Sequence, residues 1–419
     1  MSISATGLSP VFARDILIKS MFRKNVATPK EVETTLSCTA PVALELIELA
    51  RASNLIEVMG QSNDGEMRYN LTESGKSRAL DALAQSEYFG ALPIPLAHYK
   101  SLVAKQSVAD VGITEAALKG SMGHLIIPDG LLDQLGPAVN SGKSILMYGP
   151  PGNGKSSISN GIRDALGDKI FVPKVLEYSG QVISVYDPIV HGEGQESSID
   201  PNSLRRTGDQ FDPRYVRCKR PSVITGGELT LSMLELNYNA NSKTYQAPLQ
   251  LKATGGVFIV DDLGRQAEPP QALINRWIVP MEGGDDILSL QSGEKFLVPF
   301  DTLVIFSTNF HPAQIFDGAA LRRIYYKVLV DRPNRDEMIQ IYAVVAKAMK
   351  MPLDEQVLIH LFSRLYPQVD NTYAAYHAPF LITQIKSICD YQGIPHQMSV
   401  DLVEKAWANL FVAEGEVDH

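Results

Sequence analysis

Ser144-Ile145-Leu146-Met147-Tyr148 runs directly into Gly149-Pro150-Pro151-Gly152-Asn153-Gly154-Lys155-Ser156, an apolar stretch of strand character followed by a turn of the form G-x-x-x-x-G-K-S. The chemistry of anion binding requires those residue types at those places. Glycines let backbone N–H groups turn inward around phosphates, a lysine carries charge to the outer oxygens, and the serine hydroxyl ligates a divalent cation. A helix opening at Ser156 adds the positive end of its dipole. The segment through Ser157 is therefore predicted to cradle ATP, with Lys155 on the β and γ oxygens and Ser156 on Mg²⁺.

A second signal lies downstream. Gly256-Val257-Phe258-Ile259-Val260-Asp261-Asp262 is a wholly apolar run ending in two carboxylates, the Walker-B pattern. A continuous apolar run suits a strand buried on both faces of a parallel sheet, and residues at its carboxyl end project into the ligand crevice. Asp261 is expected to hold the Mg²⁺ shell and Asp262 to orient and deprotonate an attacking water. Thr302-Leu303-Val304-Ile305-Phe306-Ser307-Thr308-Asn309 is another strand of this kind, and its terminal amide suits contact with that water or the γ-phosphate.

The bulk numbers agree with a folded chain of two or three domains: 419 residues, 45% apolar and 20% charged. Cys38, Cys218 and Cys389 lie far apart without metal or redox spacing, and no signal-peptide pattern opens the chain, so a cytoplasmic setting is expected. No apolar run approaches the roughly 18 residues of a membrane span. A net charge of -9 argues against broad nucleic-acid binding, and the eight histidines show no ligand spacing.

Residues 1–90 read as a separate unit. Ser9-Pro10 opens one helix, Thr28-Pro29-Lys30-Glu31 supplies a capping box for a second, and residues 41–52 give a third. An apolar hairpin turning at Ser62-Asn63-Asp64-Gly65 follows. Three helices, a hairpin and Leu71-Thr72-Glu73-Ser74-Gly75 resemble a winged-helix domain. Its third helix bears Glu45 and Glu48 against Arg51, a face that repels phosphate, so protein docking or self-assembly is favoured over DNA reading. Residues 91–112, with Pro93 and Pro95 near their start, are expected to be a linker.

With the phosphate loop, the Asp pair and the Asn309 strand in this order, residues 113–412 resemble the AAA+ ATPases. That resemblance implies an arginine finger acting in trans on the neighbouring subunit's γ-phosphate, at Arg322 or Arg323. Residues 336–412 show four amphipathic helical stretches, beginning near Asp336, Leu353, Phe380 and Ser399, which resemble the family's helical lid, so the resemblance implies a core at residues 113–334 and a lid at 335–419. Two departures stand out. The lid helix that carries the family's sensor-2 arginine reads His377-Ala378-Pro379-Phe380-Leu381, and Asp262 stands where most members place glutamate.

Residues 166–256 exceed what a minimal core needs. Residues 172–178 and 181–186 are expected to pair around Ser179-Gly180, and residues 228–237 and 244–251 around Asn239-Ala240-Asn241-Ser242, as inserted hairpins within about 172–251. Tyr178 and Tyr238 fit substrate-gripping aromatics, though sheet packing explains them better. Arg205, Arg206, Arg214, Arg217, Lys219 and Arg220, with Phe211 and Tyr215 among them, form a basic cluster against Asp209 and Asp212. A solvated loop paired with the chain's own carboxylates is the favoured reading, and contact with nucleic acid, a neighbour's nucleotide or an acidic partner the second.

The expected fold class is thus α/β: an AAA+ P-loop core with a parallel sheet, a C-terminal helical lid and an N-terminal winged-helix-like α+β domain. The expected function is ATP hydrolysis by a homo-oligomeric ring, a hexamer, that remodels a protein partner. A DNA-linked ATPase of helicase-loader type and an ATP-gated scaffold are the alternatives.

Overall fold

The computed structural model describes residues 2–61, 65–128, 130–194 and 211–411. These fall into two units: residues 1–111, 167–258 and 267–303 form the first, and residues 112–166, 259–266 and 304–419 the second.

The second unit is organised around the strand Ile145–Tyr148. Tyr326–Leu329 pairs with it in parallel on one side and Leu303–Thr308 in parallel on the other, with Ile305 opposite Ile145 and Ser307 opposite Met147. Val257–Val260 comes next in the same five-stranded sheet. Ile145, Leu146 and Met147 are fully buried, as is every residue of Leu303–Thr308, which explains why these strands read as unbroken apolar runs. The phosphate-loop helix Lys155–Ala165 follows the first strand and buries Ile158 and Ile162. This is the α/β P-loop core with a parallel sheet.

The helical part of this unit begins at a full capping box, Asn334 with Glu337, at the head of Arg335–Ala348. Glu355–His360, a wider π-helical turn at Leu361–Leu365, a tighter 3₁₀ turn at Tyr366–Val369, His377–Gln392 and Val400–Trp407 follow. Tyr342, Tyr366, Leu381, Ile385 and Val403 are wholly buried among them. No helix among the described residues is long and apolar enough to cross a membrane.

In the first unit, Pro10–Lys24, Pro29–Leu36 and Ala40–Ala52 are followed by the antiparallel pair Ile56–Gln61 and Met67–Leu71 and then by Glu73–Gln85. Thr28 and Glu31 form the reciprocal capping box that the sequence spells. Ile16, Leu17, Leu36, Leu46 and Ile47 make the core of this segment. The turn at Ser62, Asn63 and Asp64 lies outside the described residues.

The stretch expected as a linker is packed structure instead. Ile94 pairs in parallel with Leu176, and Leu96–Val103 is a helix. Leu92, Ile94, Tyr99 and Val103 are all nearly inaccessible. The two prolines that suggested a linker start the strand and helix, while the apolar residues around them fill a core.

Val175–Tyr178 and Gln181–Ser184 form the antiparallel hairpin expected around Ser179-Gly180. The second hairpin is shorter than expected: only Asn237–Asn239 and Thr244–Gln246 pair. Leu231–Leu234 is a 3₁₀ turn, and Leu249–Lys252 winds into a helical turn behind Pro248, whose missing N–H suits a helix start better than a ladder. Tyr178 stacks on Phe296 at 4.2 Å between ring centres, and Tyr238 lies against Tyr245 at 4.9 Å, so both serve packing.

Candidate nucleotide site

The phosphate loop is held open by backbone that only glycine adopts cheaply. Gly149 has φ 141° and Gly152 φ 78°, and a Cβ on either would lie 2.2 Å from the Val330 carbonyl oxygen or the Tyr376 ring. Lys155 is 6% exposed. Its Nζ donates to the carbonyls of Gly149 and Pro150, both at 2.9 Å. Burial pushes its pKa down, and the charges of Asp261 and Asp262 pull in the opposite direction. The ammonium is thus a desolvated charge parked on its own loop.

Ser156 Oγ donates to Asp261 Oδ2 at 2.6 Å, which brings the loop serine and the first strand-end carboxylate together. A hydroxyl and a carboxylate side by side are hard oxygen ligands, and this pair fits a small divalent cation that keeps most of its own waters. Asp262 has φ 50°, a left-handed conformation that costs energy for any non-glycine residue and marks a constrained site. Its N–H donates to Asp261 Oδ1 at 3.1 Å, and Asn309 Nδ2 donates to Asp262 Oδ1 at 3.1 Å. The turn after the Asp pair is stitched to the neighbouring strand by Leu263 N–H on the Ser307 carbonyl and Thr308 Oγ1 on the Leu263 carbonyl, both at 2.7 Å.

These groups share one cavity of about 590 Å³. Pro151 through Ser157, Asp261, Asp262 and Asn309 line its polar side, whereas Ile126, Ile127, Ile341 and Val344 supply apolar wall. Gly149 and Pro150 contribute through the carbonyls that hold Lys155. Arg322 and Arg323 are absent from this lining. Both end the short helix Gly318–Arg323, capped by the Asp317 side chain; Arg322 is exposed, and Arg323 donates to the Ala319 carbonyl at 3.4 Å.

The helix His377–Gln392 begins at the phosphate loop. Tyr376 N–H donates to the Gly152 carbonyl at 3.0 Å, and Ala375 N–H to Asn153 Oδ1 at 3.2 Å. His377 is buried, and its pKa is lowered to about 4, mainly by desolvation and then by the Arg332 charge. It is neutral near pH 7 and offers no cation at the head of this helix.

Sequence reasoning missed Arg265 and Ser307, which line the cavity, and Tyr376, whose N–H donates to the Gly152 carbonyl; Asn153 was expected in the loop, but its contact with the Ala375 N–H was not. Arg265 sits in the turn after the Asp pair, where its spacing was a legible signal. Ser307 looked like one more residue of a buried strand.

In the first unit, two of the basic residues, Arg214 and Arg220, are internal. Arg214, 3% exposed, grips Asp212 and donates to the carbonyls of Thr6 and Pro93. Arg220 grips Asp168 through two nitrogens at 2.6 and 2.8 Å and reaches the Gln106 and Gly255 carbonyls. Lys219 is exposed. Arg205, Arg206 and Asp209 lie outside the described residues.

Comparison with known proteins matches residues 334–409 to a family described as "Domain of unknown function (DUF8689)". No curated protein matches the chain. Among solved structures, the chain is similar to the Thermotoga maritima RuvB Holliday junction branch migration motor, at 14% identity over 77% of this chain and 73% of that one, with a TM-score of 0.36. It is also similar to NtrX from Brucella abortus, at 12% identity over 83% of this chain and 62% of that one, with a TM-score of 0.39.

Proposed function

We propose that this chain is an ATPase whose cavity binds ATP with Mg²⁺ and hydrolyses the γ-phosphate by in-line attack of water. The observation that carries this reading is the 2.6 Å contact of Ser156 with Asp261, in a cavity that also contains Lys155, Asp262 and Asn309. Lys155 leaves the two loop carbonyls for the phosphate oxygens, exchanging neutral partners for charged ones. Asp262, half-buried and oriented by Asn309, accepts the proton of the attacking water, and Asn309 fixes where that water stands. Ser156 and Asp261 would hold Mg²⁺, which when bound neutralises charge on the phosphate oxygens.

In this reading Arg322 or Arg323 acts on a neighbour's nucleotide in a homo-oligomeric ring of six subunits. A guanidinium at the end of an exposed helix, away from its own cavity, supports that role. The work done is remodelling of a protein partner, engaged through the N-terminal helices and hairpin, which we read as a winged-helix-like module. We place the protein in the cytoplasm. Burial of Arg214 and Arg220 in internal ion pairs weighs against the DNA-linked alternative. The test is specific ATPase activity across protein concentration, with native mass measured in parallel. Activity that rises with assembly and is lost in Arg322→Ala or Arg323→Ala supports shared sites; activity that stays flat on dilution to monomer refutes them.

A further inference from the structure

Ser307 carries an unexplained polar atom. Its side chain is 1% exposed, and its Oγ has no hydrogen-bond partner among the described residues. Its own carbonyl is engaged by Leu263 N–H. The next residue, Thr308, is equally buried but spends its hydroxyl on the Leu263 carbonyl. A buried hydroxyl left unpaired costs the full desolvation of that group, so an alanine here would fold more favourably. Such a group persists where something other than the protein completes it.

Position says what that partner is. Ser307 lines the cavity together with Ser156, Asp261, Asp262 and Asn309, two residues before the amide that holds Asp262. The occupants these groups fit are a hydrated divalent cation and a reacting water, and a hydroxyl both donates to and accepts from water. We propose that Ser307 is a positioning residue whose hydroxyl holds a water of the divalent cation's shell beside Asp261 and Asp262. The inference rests on the nucleotide-binding reading above. It adds a residue that the loop, the Asp pair and Asn309 do not account for.

The test is nucleotide binding to the full chain, with fluorescent ATP titrated at a series of Mg²⁺ concentrations and in EDTA, for wild type and Ser307→Ala. Ser307→Ala should raise the Mg²⁺ concentration for half-maximal binding about 5-fold, the size of one lost hydrogen bond. Affinity in EDTA should stay unchanged. The thermal midpoint without metal or nucleotide should be equal to wild type or about 2 °C higher. An unchanged Mg²⁺ midpoint, with wild type binding normally, overturns the role of Ser307 alone. A midpoint of unfolding that drops by several degrees also overturns it, by showing that the hydroxyl has a structural partner. Wild type that binds no nucleotide in either condition removes the underlying reading, and this inference with it.

Discussion

Asn309 donates from Nδ2 to Asp262 Oδ1 at 3.1 Å, so the polar end of one buried strand holds the second carboxylate of the next. The hydrogen bond fixes a side chain whose backbone is itself in a left-handed conformation. Asparagine tolerates that conformation at least as well as aspartate does, so Asp262→Asn removes the charge and leaves the turn. Single-turnover hydrolysis should fall by about 10²- to 10³-fold in Asp262→Asn while ATP affinity changes little. Asn309→Ala should lower the same rate, and the double variant should cost less than the product of the two, because the two side chains share one hydrogen bond.

Gly152 lies close against Tyr376 at the head of the helix His377–Gln392. A Cβ there would sit 2.2 Å from the Tyr376 ring, on backbone with φ 78°. Gly152→Ala should therefore weaken ATP binding at least about 10-fold, through both the clash and a strain of about 1 kcal/mol. Adding Tyr376→Ala should recover part of that loss by removing the clash and not the strain. Isothermal titration of the two single variants and the double variant separates the two contributions; no recovery in the double variant would show that the ring is not what the loop meets.

His377 sets a pH dependence in the C-terminal helices. Unfolded, its ring takes a proton near 6.5; folded, it does so only near 4. Between those values the unfolded chain binds more protons, so stability is full above pH 6.5 and is lost as pH falls toward 4, by up to about 3 kcal/mol. His377→Gln, which keeps an acceptor for the Tyr366 hydroxyl but does not titrate, should flatten the slope. His191, also buried and depressed, leaves a remainder. Urea unfolding at pH 5 and pH 7 reads the difference.

The basic cluster should behave as structure. Arg220→Ala leaves the part-buried carbonyl of Gln106 and the buried one of Gly255 without this donor, and Arg214→Ala does the same to the buried carbonyls of Thr6 and Pro93. Each should cost on the order of 2–4 kcal/mol of stability, read as a thermal midpoint several degrees lower. Exposed Lys219→Ala should be neutral within about 0.5 kcal/mol. Loss of DNA retention in the arginine variants would then report unfolding unless their midpoints were unchanged.

The core of the site was legible because its signals are local. The loop glycines, Lys155, Ser156 and the apolar runs before Asp261 and Asn309 each announce a backbone geometry or a burial state within a few residues. What escaped detection depends on tertiary placement. Nothing near Ser307 in the chain says that its hydroxyl is unpaired, since that follows from which groups its strand is brought beside. Pro93 and Pro95 read locally as a linker, while the burial of Ile94 and Tyr99 depends on a strand far downstream. Arg214 and Arg220 read as solvent-facing charge for the same reason: their carboxylate and carbonyl partners are set by the fold.

The central claim is one Mg²⁺–ATP pocket built from the glycine-lysine loop and the paired aspartates. Calorimetric titration of ATP into wild type, Lys155→Ala and Asp261→Asn, with Mg²⁺ and in EDTA, tests it most directly. Saturable binding of one ATP per chain is predicted for wild type, with at least about 100-fold weaker binding in Lys155→Ala and loss of the Mg²⁺ dependence in Asp261→Asn. Wild-type affinity retained in Lys155→Ala, or no ATP binding by the wild-type chain, would contradict the account.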